Sequence, residues 1–226
     1  MKKVLVIAAH PDDEVLGMGG TVAKLAAEGV ECHLLIVTDG SSSQYRASND
    51  LQKIIEDKKQ ETKRCADILG FKSIIYGGLP DMKLDCTPHI DINQVIERVI
   101  DELQPDTVYT HFWGDVNADH QNVYKSTLVA VRPVMGQVVK DLFCYSVPSS
   151  TEWTPNKEDT MFMPNVFVDI TDYAELKYEA FAQYATELRD YPHPRSVQYL
   201  READKAAGLR VGLLAAEEFV LLRKLV

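Results

Sequence analysis

Four ionisable side chains, His10, Asp12, Asp13 and Glu14, stand within five residues directly behind the apolar run VLVIAA. Charges in such a place need either open water or a cation. A second polar group, THFWGDVNADH, carries His111, Asp119 and His120 far downstream. If the two groups meet, His10, Asp13 and His120 offer two imidazoles and one carboxylate, with positions left open to water. That donor set suits a catalytic zinc, one per chain, with Fe2+ as the alternative. Asp12 is then left beside the ion rather than on it, where a carboxylate can take a proton from water. For Glu14 the plainer reading, an acid complementing the positive end of a helix, stands equally open.

Two elements must bring these groups together. KVLVIAA reads as a buried strand, DEVLGMGGTVAKLAAEG as a helix closed by Gly29, and ECHLLIVT as a second strand. SNDLQKIIEDKKQETKRCADILG has helical spacing up to Gly70, KSIIYG is extended, and INQVIERVIDELQ is a helix halted before Pro105. DTVYTH is a fourth strand, HQNVYKSTLVAVRPV a helix, DLFCYSV and NVFVDI extended, and YAELKYEAFAQYATEL a further helix. The alternation predicts an α/β fold, a Rossmann-like, mainly parallel sheet with helices on both faces, in a single domain over residues 1–226. Both polar groups then follow strands on the edge of the sheet where ligands bind.

Composition excludes several classes. The formal net charge is −10 and the pI about 5.1, so a phosphate backbone is repelled and nucleic acid is not an expected partner. No apolar run is long enough to span a membrane, and VLVIAA after MKK is too short for a secretory signal, so the expected location is the cytoplasm. Cys32, Cys65, Cys86 and Cys144 form no Cys-x-x-Cys pair, which leaves any metal to His and Asp.

A nucleotide site is the rival reading, because GMGG is glycine-rich and Asp39 follows at the distance of a ribose-binding acid. The order is wrong for it: Gly17 comes after the charged segment, Val22 fills the third glycine position, and three acids would face the pyrophosphate. Gly17, Gly19 and Gly20 are better read as letting a helix lie close on the sheet.

AHPDDEVLGMGGT resembles the signature of the LmbE-like, or PIG-L, zinc-dependent N-deacetylases. The likeness continues in order through VTDG, Glu61 with ADILG, GLPDMKLD, THFWGDVNADHQNV, SSTEW and YPHPRS. The resemblance implies one catalytic zinc held by His10, Asp13 and His120, Asp12 as general base, and removal of the acetyl group from an N-acetylated amino sugar or glycoconjugate. It also implies a homo-oligomer. Asp119 then orients a neighbouring ring, and His193 donates a hydrogen bond to the developing oxyanion, a loop anchor being the equal alternative. Arg46, His111 and Arg195 are the expected substrate contacts, with a surface salt bridge the plainer reading for Arg46 and a buried, backbone-bonded ring that for His111. Trp153 with Ser149, Ser150 and Thr151 reads as a pocket wall or as a loop anchor. One departure stands out: many members carry a histidine where this chain has Asn117. A metal-binding or nucleotide-binding domain without catalysis remains the second class.

Overall fold

The computed structural model describes residues 1–40, 51–155 and 157–226. Five parallel strands form most of one sheet: β1 (Lys3–Ala8), β2 (Glu31–Thr38), β3 (Ser73–Leu79), β4 (Thr107–His111) and β5 (Asp141–Tyr145). Two further strands, β6 (Val166–Asp169) and β7 (Ala216–Arg223), extend it antiparallel, giving the order β3-β2-β1-β4-β5-β7-β6.

The run VLVIAA is apolar at every position because β1 is covered on both faces. Val4, Val6 and Ala8 pack toward α1 (Asp13–Ala27), α2 (Leu51–Leu69) and α5 (Ala174–Phe181), whereas Leu5, Ile7 and Ala9 pack toward α3 (His89–Leu103) and α4 (Ala118–Ala130). The chain moves outward from β1 through β2 to β3, then returns to place β4 on the other side of β1. Loops leaving β1 and β4 therefore diverge above the sheet, and the crevice between them is where this topology binds ligands.

The glycines of GMGG do serve close packing. A Cβ on Gly17 would lie 2.3 Å from the Tyr145 ring, and one on Gly20 would lie 2.8 Å from Ile170. Helix α1 is broken at Met18, and the backbone N–H groups of Gly20 and Thr21 donate to the Glu217 carboxylate at 3.0 and 2.6 Å.

Three features depart from the sequence expectation. Helix α5 ends at Phe181 rather than near Leu188, because Tyr184 and Glu187 turn inward and are buried. A helix α6 (Val197–Leu209) and the strand β7 were not anticipated. That strand lies between β5 and β6.

Candidate active site

Strand β1 ends at Ala8, and the ends of β1 and β2 are tied where Thr38 donates to the Ala9 carbonyl through both its backbone N–H (3.0 Å) and its hydroxyl (2.7 Å). The chain turns there, and Asp12 adopts φ 109°, a left-handed conformation that costs a residue with a side chain about 1–3 kcal/mol. Glu14, fully buried, holds the turn: its Oε2 accepts the Asp12 N–H at 3.1 Å, and its Oε1 accepts the Tyr184 hydroxyl at 2.5 Å. Burial raises the Glu14 carboxyl to about 7 against the pull of Tyr184. The role of Glu14 is therefore more than helix-end charge.

Three ligand-type atoms converge above this turn. His10 Nδ1 lies 3.2 Å from His120 Nε2, Asp13 Oδ2 lies 3.3 Å from His10 Nδ1, and Asp13 Oδ2 lies 3.4 Å from His120 Nε2. A tetrahedral ion with ligands at the usual zinc distances separates its donor atoms by about 3.3 Å, so the triangle is one face of such a shell. Asp13 Oδ1 is buried and has no hydrogen-bond partner among the described residues.

The far side of each ring is held by carboxylates. His10 Nε2 lies 3.1 Å from Asp119 Oδ2 and 3.2 Å from Asp81 Oδ1. Asp119 is itself fixed, since it accepts the N–H groups of Met82 at 2.7 Å and Leu84 at 3.0 Å. His120 Nδ1 lies 3.1 Å from Asp115 Oδ2, and Asp115 also accepts the hydroxyls of Ser150 and, at 2.7 Å, Thr151. Carboxylates placed this way fix the tautomer and aim the opposite nitrogen at an ion. In the metal-free chain they do something else. Burial opposes a charge on either imidazole, but Asp13 and Asp115 hold His120 up at about 9, and Asp119 with Asp13 and Asp81 raises His10 well above its usual range. Burial works against Asp115 too, yet His120 and the two hydroxyls bring it down to about 2.

His111 corrects an expectation. Its ring is fully buried, Nε2 accepts the Ala9 N–H at 2.8 Å, and the ring stacks on His120 with centroids 4.0 Å apart. A ring so enclosed is the buried, backbone-bonded alternative and not a substrate contact; it forms the floor under His120. Burial and the neighbouring His120 keep it neutral. Asn117 has a different task, as the N-cap of α4, its side-chain oxygen accepting the Asp119 N–H at 2.9 Å.

Asp12 opens onto a cleft of about 280 Å³, lined also by His10, Asp81, Asn117, Ser149, Trp153, His193 and Arg195. Burial pushes the Asp12 carboxyl well up, with Arg195 pulling against it and Glu187 and Asp13 adding to it. His193 accepts the Arg195 N–H on Nδ1 at 3.0 Å, which leaves Nε2 as the protonated, donating nitrogen. Burial and the nearby Arg195 lower its pKa, so the ring is neutral. Arg195 reaches the cleft but is already bonded, through Nε to Ser149 Oγ (2.8 Å) and through Nη1 to Glu187 (2.7 Å). The SSTEW segment divides: Ser149 and Trp153 border the cleft, while Ser150 and Thr151 anchor Asp115. Arg46 lies outside the described residues.

Asp115, Asp81, Lys58 and Glu187 were not singled out by sequence reasoning. Asp115 and Asp81 sit within quoted motifs, so the signal was present without a way to rank one acid over another. Lys58 and Glu187 lie in stretches read only as helices, with nothing to mark either charge.

Comparison with known proteins bears on the family and the fold. The diacetylchitobiose deacetylase of Thermococcus kodakarensis is 30% identical over 196 residues, which cover 83% of this chain and 71% of that protein. The N,N'-diacetylchitobiose deacetylase from Pyrococcus horikoshii superposes with a TM-score of 0.80 at 24% identity, covering 98% of this chain and 84% of the other. GalB, the 4-carboxy-2-hydroxymuconate hydratase from Pseudomonas putida KT2440, also reaches 0.80, at 20% identity and over 100% and 98% of the two chains. The same fold thus carries more than one reaction, and the fold alone does not choose between them. The family described as "PIG-L: GlcNAc-PI de-N-acetylase" matches residues 5–131, more than half of the chain and the stretch that holds the converging His and Asp groups. Sequence and site together place the chain in the PIG-L, or LmbE-like, deacetylase family.

Proposed function

We propose that this chain is a zinc-dependent N-deacetylase of N-acetylated amino sugars or their conjugates, with residues 1–226 acting as one catalytic domain. The observation that carries the reading is the triangle of His10, Asp13 and His120 with a separate carboxylate, Asp12, beside it at the cleft. Two neutral imidazoles and one carboxylate would hold zinc, and Fe2+ has similar ligand preferences. Zinc supplies Lewis-acid polarisation of a carbonyl and lowers the pKa of water to about 7.

The remaining work falls to the chain. Asp12 takes the proton of the attacking water and returns it to the amine as the carbon–nitrogen bond breaks, so one carboxylate serves as base and then acid. The Nε2–H of His193 donates to the oxyanion that the acetyl carbonyl becomes. Asp119 and Asp81 orient His10, and Asp115 orients His120. Trp153 and Ser149 offer an aromatic face and a hydroxyl to a pyranose ring.

Acetate and free amine are the products to measure, using diacetylchitobiose and a panel of N-acetylglucosamine conjugates, before and after chelation and zinc restoration. The expected result is chelator-sensitive release of equal amounts of both. A well-folded protein that takes up no zinc, or a zinc-loaded one that releases no amine from any acetamido sugar, would overturn the reading. His193→Ala with parental turnover would remove that residue's role. The homo-oligomer and the cytoplasmic location belong to this proposal on the family resemblance and the lack of a membrane-spanning helix among the described residues. Light scattering and cell fractionation test them.

A further inference from the structure

Helix α2 turns a polar stripe inward. Lys58, Glu61, Thr62 and Cys65 recur at helical spacing and all are buried. Two of them grip the segment that follows α5, and a third meets the Glu14 carboxylate to which that segment is bonded. Lys58 Nζ pairs with Glu187 Oε1; Glu61 accepts the Thr186 N–H at 3.1 Å and its hydroxyl at 2.6 Å; and Cys65 Sγ donates to the Glu14 oxygen that also accepts the Tyr184 hydroxyl. Burial opposes the charge on Lys58, but Glu187 outweighs burial and the ammonium stays protonated.

Glu187 is shared between two cations. Its Oε2 accepts from Arg195 Nη1 at 2.7 Å, and the same Nη1 stands 3.5 Å from Asp12 Oδ2. Asp12 Oδ2 has no hydrogen-bond partner among the described residues. Arg195 thus sets a charge against Asp12 without occupying the lone pair that a proton would use. Without Glu187, Lys58 and Arg195 would be left as two cations on one wall, and the guanidinium would be drawn onto Asp12 as a direct, bidentate partner.

We propose that Glu187 is a positioning residue for deacetylation: it holds Arg195 beside Asp12 at ion-pair rather than hydrogen-bond distance, with Lys58 fixing Glu187 from helix α2. The inference rests on the reading of Asp12 as general base. It gives the buried Lys58–Glu187 pair a task beyond stability and explains why α5 stops short, since a helix continued to Leu188 would carry Glu187 away from the cleft.

The test is a double-mutant cycle on the zinc-loaded enzyme with Glu187→Gln, Arg195→Met and the pair combined, reading kcat, KM, metal content and melting temperature. Glu187→Gln is expected to lower kcat about tenfold, the weight of one charge-assisted contact, with KM nearly constant and zinc unchanged. The double variant should match Arg195→Met alone in kcat, because Glu187 then has nothing left to position, and the losses in melting temperature should be less than additive. If Glu187→Gln fails to fold, Lys58→Met/Glu187→Met replaces the buried pair by apolar groups of similar size, and the same fall in kcat is expected. Additive losses in kcat, or a stable, zinc-loaded Glu187→Gln with parental kcat, would overturn the inference while leaving the deacetylase reading intact. An inactive parent enzyme would overturn both.

Discussion

Two clusters of charge are buried in this protein, and they are built on opposite principles. Behind helix α1, Lys177 Nζ lies 2.8 Å from Asp204 and 2.9 Å from Glu217, while Glu217 also caps the backbone freed by the break at Met18. Cation, anions and N–H groups answer one another there, although Asp204 Oδ2 has no hydrogen-bond partner among the described residues. Above β1 and β4, His10, Asp13 and His120 instead point three donor atoms at one place, and the carboxylates behind them make those atoms more willing donors. A buried cluster that closes on itself holds the fold together. One whose donor atoms crowd around a common point has the geometry of one face of a metal-ligand shell.

The sharpest way to break this contrast is at neighbouring residues. Asp13→Ala is expected to lose both metal and turnover, whereas Asp12→Asn keeps metal and loses about 10²–10⁴ in kcat, the weight of a general base. Elemental analysis beside steady-state rates decides it; equal metal loss in both would contradict the division of roles. The self-contained cluster should respond oppositely. Lys177→Met leaves two buried carboxylates without their cation, so unfolding free energy should fall by about 3–5 kcal/mol while zinc per folded chain stays the same. Denaturant titration with metal analysis reads both, and loss of zinc from the folded fraction would erase the distinction.

Metal removal is next in size. At free zinc a hundredfold above its dissociation constant, binding stabilises the folded chain by about 2.7 kcal/mol, and chelation should remove that amount. The pH dependence gives its sign. His120 in the metal-free chain sits near 9 against an ordinary 6.5, so it contributes stability that is complete below 6.5 and lost as pH rises through 9. Zinc needs the neutral ring, so its stabilising increment should grow over the same window while the metal-free melting temperature declines. Scans at pH 6.5, 7.5 and 9 with and without zinc check this, and an increment that shrank with pH would contradict it. The smallest effect belongs to Ser150→Ala, which removes one of the hydroxyls on Asp115: zinc affinity should weaken by about tenfold, at the low end for partners behind a metal ligand, with kcat at saturating zinc nearly unchanged. Competition with a chromophoric chelator measures it.

Much of this was legible in the sequence, for reasons that also mark where legibility ended. β1 declared itself because a strand covered on both faces is apolar throughout, and the ligand-bearing turn declared itself because charge follows such a strand at once. β7 did not, since AEEFVLLR opens with two acids that look solvent-bound. Glu217 is neutralised by Lys177 from helix α5, a partner from a distant part of the chain, and Glu218 pairs with Arg210 just past the end of α6. YAELKYEAFAQYATEL has helical spacing to its end, yet Tyr184 and Glu187 are drawn out of register by Glu14 and Lys58, which local pattern cannot express. Of the aspartates in the family motifs, Asp119 reads as orienting a ring while Asp81 and Asp115 cannot be ranked; only the path of the loops decides which faces His10 and which faces His120.

The placement of β7 between β5 and β6 bears on how the protein is made. A chain emerging from the ribosome N-terminus first completes β1 to β5 by Tyr145, and with them His10, Asp13 and His120. Strand β6 is then out but has no neighbour to pair with, because the strand bonded to it among the described residues begins at Ala216. The wall of the cleft that carries Glu187, His193 and Arg195 is synthesised in that interval. The nascent chain therefore acquires the His–Asp cluster while the opposite wall of the cleft is still unmade, and the last strand to arrive closes the sheet from within.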